Sequence, residues 1–261
     1  MDERLRARLT EVGLDPEDFG DPKAAFERLH ARFGRRATLV DRYELEAAAR
    51  GVRPEQLDRE LRTRLAYEVI PMQLPGWELL EAGARTVADP IEVVPSRDEW
   101  PVAFAGWRER LLDVLGSTTA RVEHVGSTAV PGLAAKPVID VQIAVRDVED
   151  EASYVPAIET LGVALRSREP GHRYFRPAGD APRAVQIHVV AAGSEWEREH
   201  LLFRDFLRAD AATREAYGRF KLELADRYRD DRLAYNEAKT GFILDALEAA
   251  ERWAARAGWT L

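Results

Sequence analysis

The 261-residue chain carries 46 Asp and Glu against 38 Lys and Arg, a formal net charge of -8, which argues against a wide basic face for duplex nucleic acid because phosphate neutralisation needs clustered Lys and Arg. It has no cysteine, which excludes disulfide scaffolds, zinc–thiolate centres and cysteine nucleophiles and agrees with a reducing compartment. The charged segment 1–10 lacks the apolar core of a signal peptide and no apolar run reaches the roughly 18 residues of a membrane span, so a cytoplasmic protein with no membrane partner is expected.

Residues 1–70 read as short helices. Asp21 and Pro22 open a segment with Ala25, Phe26, Leu29 and Phe33 on one face, closed by Gly34. A second carries Leu39, Tyr43, Leu45, Ala48 and Ala49 as far as Gly51. A third starts at Pro54, repeats Leu57, Leu61, Leu65 and Val69 four apart, and ends at Pro71. No side chain in this small all-α module has a chemical signature. Residues 71–90, with Pro75 and Gly76, form a loop-like linker to a domain over 91–261.

In that domain the pattern predicts a short strand at 91–94 and a helix over 100–115 with Phe104, Trp107, Leu111, Leu112 and Leu115 on one side. Strands follow at 121–125 and 138–145, the second apolar enough to be central. A helix near 156–161 leads to strands at 163–168, 174–176 and 185–190. Helices at about 195–208, 211–229 and 232–256 complete the chain. The fold class is α/β, more closely α+β: a mixed sheet with flanking helices and a C-terminal helical tail.

Chemistry concentrates in VEHVGSTAVPGLAAKPVIDVQ at 122–142. A strand that ends in Gly126 and Ser127 lets backbone N–H groups and a hydroxyl approach phosphate oxygens, because glycine adds no Cβ. The next strand brings in Asp140, and a carboxylate inside an apolar strand must face a polar site, a metal or a basic partner. The segment 124–140 closely resembles the GrpB family, small proteins of the nucleotidyltransferase superfamily. The resemblance extends over about 91–250 and continues in His172-Arg-Tyr-Phe-Arg176, in Gln186-Ile-His188, in Phe203-Arg-Asp-Phe-Leu-Arg208, and in Tyr235 with Lys239. The helical module lies outside it.

The resemblance implies a nucleotidyltransferase-like sheet that binds a nucleotide or a phosphorylated small ligand between the sheet and the C-terminal helices. A nucleoside triphosphate is the implied substrate and manganese, zinc or magnesium the implied metal. Asp140 and His188 stand as catalytic and metal-binding residues, and Gly126, Ser127, Thr128, Lys136, Arg173, Arg176, Lys221, Tyr235 and Lys239 as contacts to the ligand. Two departures bear on this. Ser96-Arg-Asp-Glu-Trp100 stands where the family usually has Tyr-Asp-Pro-x-Trp. Where active transferases carry Asp-x-Asp and a third carboxylate, the chain reads Asp140-Val-Gln142 and Gln186-Ile-His188, and an imidazole suits manganese or zinc better than magnesium. The alternative is a catalytically degenerate binding or regulatory module acting through a protein partner at residues 1–70.

Each candidate also has a plainer role. Gly126 and Ser127 are common turn residues, Asp140 can pair with Lys136 or an arginine, and His124 and His188 can be hydrogen-bonded core residues. Arg173 and Arg176 sit in a stretch, 163–183, whose five arginines outnumber its two acids, and they either fork onto a phosphate or form a solvated edge. Only four basic residues are Lys, at 23, 136, 221 and 239, and a compact ammonium is not interchangeable with a guanidinium. Tyr235 and Lys239, one helical turn apart, either close the ligand site or pack and snorkel.

Overall fold

The computed structural model describes residues 1–73, 75–80, 90–179 and 181–261. In chain order its elements are α1 (Glu3–Glu11), α2 (Pro22–Phe33), α3 (Leu39–Ala49), α4 (Arg59–Gln73), β1 (Glu78–Leu79), α5 (Glu99–Leu115), β2 (Thr119–Val125) and β3 (Ile139–Val145). They continue as α6 (Val155–Glu159), β4 (Val163–Glu169), β5 (His172–Pro177), β6 (Val185–Ala191), α7 (Glu195–Ala209), α8 (Ala211–Arg227), α9 (Arg232–Ala238) and α10 (Thr240–Ala257). Among the described residues no helix is long and apolar enough to cross a membrane. Within the expected linker, residues 74 and 81–89 lie outside the described residues, and so does Asp180 of the basic stretch.

The chain divides into two compact units, Met1–Pro75 with Asp231–Leu244, and Gly76–Asp230 with Asp245–Leu261. In the first, side-chain caps start the helices: Asp2 accepts from the Leu5 amide at 2.7 Å and Asp21 from the Ala24 amide at 2.8 Å. Leu5, Leu9, Phe26, Leu29, Leu39, Leu45 and Leu65 are buried. The third helix begins later than its pattern suggests. Pro54–Gln56 is a separate 3₁₀ turn, and Asp58 accepts from the Leu61 amide at 2.8 Å to cap α4. The helix also runs through Pro71 to Gln73, because a proline this near the end removes a single intrahelical donor. The expected helix 232–256 is split at Lys239, and α9 groups with α1–α4.

The second unit is built on a six-stranded mixed sheet in the order β1-β4-β5-β6-β3-β2. Among the described residues β3 and β6 form the one parallel pair. The sheet carries nucleotidyltransferase-like architecture, with β3 an interior strand as its apolar sequence predicts. Two local differences appear. Glu78 and Leu79, in the stretch expected to be loop, pair with β4, and of the strand expected at 91–94 only Val94 bridges, to Ala135.

Alternation along the strands sorts the sheet into two faces. Val122, Val141, Ile143, Phe175, Ile187 and Val189 join Trp100, Leu111 and Tyr154 in the main core, on the side of α5 and α6. Glu123, Asp140, Gln142, His172, Tyr174, His188 and Arg176 have the opposite parity, on the side where α7 meets β2 and β6. Helix α7 in turn buries Leu202 and Phe206 against Ala250 and Ala254.

His124 belongs to the covered face. Its ring stacks on Phe104 at 4.6 Å and its Nε2 lies 3.0 Å from the Thr128 hydroxyl, which itself donates to the Val138 carbonyl at 3.1 Å. Burial, reinforced by Arg208 and Arg204, pushes its pKa down from 6.5 to about 4. The unfolded chain therefore takes up a proton that the native imidazole refuses, and this contribution to stability is intact above pH 6.5 and is lost as pH falls towards 4. The loss should be of order 3 kcal/mol. Urea unfolding across that range should show a pH slope in the wild type that His124→Gln flattens, and parallel profiles for the two proteins would refute this account.

Candidate functional site

The site starts at the end of β2. Gly126 adopts φ 69 and ψ -170, a region essentially reserved for glycine. A Cβ built there would lie 2.2 Å from Asp140 Oδ2, so the bare backbone and the carboxylate share one space. Ser127 opens a 3₁₀ turn, Ser127–Ala129, and its hydroxyl accepts a 2.8 Å hydrogen bond from Lys221 Nζ on α8. Lys221 is only 2% exposed and its ammonium also lies 4.5 Å over the Tyr217 ring.

Helix α7 holds the turn from the carbonyl side. Arg204 Nη1 donates to the His124 carbonyl at 3.1 Å, and Arg208 donates to the Ala129 carbonyl from Nε at 3.1 Å and Nη2 at 2.9 Å. Arg204 is itself held by Glu123 and Asp205, both at 2.7 Å. The helix is anchored to the sheet through Glu197, which is fully buried and accepts from Arg121 Nε and Nη2, each at 2.8 Å, and from the Gly193 amide at 2.7 Å.

Across the face that α7 meets runs a row of titratable side chains. His188 Nε2 stands 4.0 Å from Asp140 Oδ1, its Nδ1 is 2.9 Å from His172 Nε2, and His172 Nδ1 bonds the Glu169 carboxylate. Trp196 stacks on His172 at 4.5 Å, and His200 stacks on Trp196 at 3.5 Å. Burial, with His172 and His200 adding, holds His188 well below the usual imidazole pKa, so its ring is neutral at pH 7. Gln142, paired across the sheet with His188, is 1% exposed. Its Nε2 donates weakly to the Glu197 carbonyl at 3.4 Å, while its Oε1 has no hydrogen-bond partner among the described residues. Among the described residues no three His, Asp or Glu side chains gather as a ligand set for a metal ion.

The structure thus brings Gly126, Ser127, Lys221, Asp140 and His188 into one region. Lys136 lies in the loop that leads into β3, half-buried. Thr128 is buried, with its hydroxyl engaged by His124 and Val138 on the covered face, so only its backbone remains for a ligand. Arg173 is a correction. Residues three apart on a strand point to opposite faces, so Arg176 shares the face of His172 and His188 whereas Arg173 faces away. Arg173 is 4% exposed and bonds Glu149, Glu151 at 2.5 Å, and the carbonyls of Glu169 and His172, both at 3.1 Å. Arg176 instead lies beside Arg166, whose pKa burial and Arg176 together lower. Tyr235 and Lys239 belong to the first unit, where Tyr235 is buried and Lys239 Nζ lies 4.6 Å over its ring.

Sequence reasoning missed Glu169, His172, Trp196, His200, Arg204 and Arg208 as parts of this region. Two signals were available. His172, Tyr174 and Arg176 alternate with Arg173 and Phe175 along β5, which puts His172 on the face of His188. Trp196, His200, Arg204 and Arg208 recur every four residues on α7, a single stripe of ring and guanidinium groups.

The comparisons with known proteins match the stretch of chain that holds this region. The family model described as GrpB protein matches residues 90–249. A UPF0157 protein of Streptomyces coelicolor is 45% identical over 145 residues, 56% of this chain and 76% of that one. One from Halalkalibacterium halodurans is 40% identical over 155 residues, 58% of this chain and 77% of that one. A dephospho-CoA kinase of Mycolicibacterium paratuberculosis is 33% identical over 196 residues, 65% of this chain but 48% of the kinase. Among solved structures, a conserved protein GrpB from Enterococcus faecalis superposes with a TM-score of 0.56 at 30% identity, over 62% of this chain and 99% of that one. The match spans β2 to β6, the Gly126 turn and helices α5 to α9, and the chain belongs to the GrpB family.

Proposed function

We propose that the protein binds a nucleotide or another phosphorylated small ligand at the Gly126 turn, with a divalent cation at Asp140, and that any reaction there is nucleotidyl transfer. One observation carries this reading: a buried lysine ammonium bonded to the Ser127 hydroxyl, at a glycine whose missing Cβ leaves room for the Asp140 carboxylate. An ammonium and a hydroxyl side by side at a glycine turn are a donor pair suited to a phosphate oxygen, which the Ser127 hydroxyl and turn amides would orient. Lys136 and Arg176 are the further cations suited to neutralise a departing phosphate. The kinship with a protein named dephospho-CoA kinase agrees with a phosphorylated ligand.

The residues fit a divalent cation in part. Asp140 and the neutral His188 converge, and the orphaned Oε1 of Gln142 beside them is a buried oxygen donor lacking a hydrogen bond. These three would hold the ion, which when bound would stabilise charge on phosphate oxygens. One carboxylate, one amide and one imidazole form a set that favours manganese or zinc over magnesium. The same set supports a second reading, a degenerate module that binds a ligand without turnover and acts on a protein partner, because Gln142 and His188 stand where transferases place carboxylates.

Thermal melting with ATP, alone and with Mn²⁺ or Mg²⁺, tests the reading, since a ligand of the native state alone adds about 2.7 kcal/mol at a hundredfold excess over Kd. ATP should raise Tm, and more so with Mn²⁺ than with Mg²⁺. Lys221→Met should weaken ATP binding by roughly 10- to 100-fold, the worth of one hydrogen bond to a charged group. Arg173→Met, on the other side of the sheet, should lower Tm yet keep the ATP shift. An unchanged shift in Lys221→Met would remove the phosphate site from the turn.

Asp140→Ala should abolish the Mn²⁺-dependent part of the stabilisation. If Asp140 serves only a structural ion pair, the variant will be destabilised equally with and without Mn²⁺. Calorimetry on both proteins separates these outcomes. No binding of Mn²⁺ or Mg²⁺ by the wild type at millimolar concentration, with or without ATP, would overturn the enzyme reading in favour of the degenerate module.

A further inference from the structure

We propose that Glu169 and His172 are positioning residues that hold His188 in its Nδ1–H tautomer, so that its Nε2 lone pair is presented to Asp140. The inference rests on the reading of Asp140 and His188 as the cation-binding pair, and it concerns how that pair is kept ready. It follows from the order of donors and acceptors along the row. A carboxylate can only accept, so the His172 Nδ1 bonded to Glu169 carries that ring's proton. Where each ring carries a single proton, an imidazole has one N–H, so His172 Nε2 is then the acceptor and the donor 2.9 Å away is His188 Nδ1. With its proton committed there, His188 offers a lone pair at Nε2, the atom that stands 4.0 Å from Asp140 Oδ1.

Packing fixes the rings in this arrangement. His172 and His188 lie nearly parallel, 16° apart with centroids at 5.1 Å, and Trp196 lies against both, at 4.5 Å from His172 and 5.4 Å from His188. A flipped His188 would surrender its ring hydrogen bond to His172 within a largely buried stack. The elements are set by register: His172 on β5 stands opposite Val190 and Tyr174 opposite His188 on β6, so the two imidazoles are diagonal neighbours on one face. Histidines that bind metals commonly donate their second ring nitrogen to a carboxylate, a carbonyl or water. Here a second histidine, anchored by Glu169, takes that place.

Ring ¹⁵N shifts and long-range ¹H–¹⁵N couplings in the metal-free, full-length protein, at alkaline pH where each ring carries one proton, report the tautomer directly. The expected result is Nδ1–H at both His172 and His188. His172→Phe keeps an aromatic ring in the stack and removes the acceptor. It should move His188 to the Nε2–H form or a mixture, and weaken Mn²⁺ binding, measured with and without ATP, by roughly 10- to 100-fold. Glu169→Leu should disturb the tautomer in the same direction, whereas Glu169→Gln, whose amide oxygen still accepts from His172, should preserve it. Nε2–H at His188 in the wild type overturns the proposal, and so does a His188 tautomer unmoved in His172→Phe. If His172→Phe does not fold, the wild-type tautomer still decides. Nδ1–H at His188 in a protein that binds no Mn²⁺ would uphold the positioning and defeat the cation reading, while Mn²⁺ binding to a protein with Nε2–H would do the reverse.

Discussion

Everything in the candidate site depends on one close approach, that of the Gly126 backbone to the Asp140 carboxylate. Val125 and Asp140 are the last partners in the β2–β3 register, and at the next residue the chain leaves the sheet with φ 69 and ψ -170. Any side chain at 126 would occupy the volume of Asp140 Oδ2. Glycine therefore does two things at once: it permits a backbone conformation worth about 1–3 kcal/mol of strain in other residues, and it lets a carboxylate stand against a turn instead of against water. Ser127, directed by that conformation, meets Lys221 from a helix more than ninety residues away.

The turn is not self-supporting. Two arginines of α7 hold its carbonyls, and α7 is tied to β2 by the Arg121–Glu197 pair. Stranding a fully buried charge typically costs about 3–5 kcal/mol. Arg121 is 39% exposed, so solvent screens its side of the pair and the figure for this contact is smaller. Glu197 is nonetheless fully buried and also receives the Gly193 amide. That amide belongs to the loop between β6 and α7, so one carboxylate fixes both the start of the helix and its distance from the strand that bears His188.

Local pattern reached most of the strands and helices of the sheet unit, because apolar alternation and glycine stops are properties of short windows. It also singles out Gly126, Ser127 and Asp140, since a glycine–serine turn and a carboxylate in an apolar strand announce unusual needs, whereas His188 and Lys221 enter only through the resemblance to the family. Arg173 was misplaced by reading spacing without parity: three residues apart suggests neighbours on a helix and opposite faces on a strand. Although alternation along β5 gives the face of His172, the contacts within the row from Glu169 to His188 lie beyond local pattern for a different reason. Its members lie on separate strands, and which imidazole meets which carboxylate depends on a sheet order, β4-β5-β6-β3, that no window contains. Tyr235 and Lys239 show the same limit. Their spacing marks one helical face, but the grouping of α9 with α1–α4 is a long-range preference of Tyr235 and its neighbours.

Gln142 and His188 stand where the resemblance implies carboxylates, and on the proposed reading this bears first on the electrostatics of the site. A set of three carboxylates carries charge enough to attract a hard divalent ion by itself. Here the residues proposed for the ion are one carboxylate, a neutral amide and a neutral imidazole. A divalent cation entering such a site gains little from net charge and must rely on donor chemistry, the imidazole lone pair above all. The missing negative charge would come from phosphate oxygens, which Lys221 attracts and which in turn favour the cation beside them. On the proposed reading, cation and ligand therefore bind as a coupled pair, each raising the affinity of the other by the same factor. That coupling gives the neutral His188 its importance. A protonated imidazole next to Asp140 would add a positive charge where the proposed cation would sit, and burial beside His172, His200 and Trp196 is the feature that keeps it unprotonated.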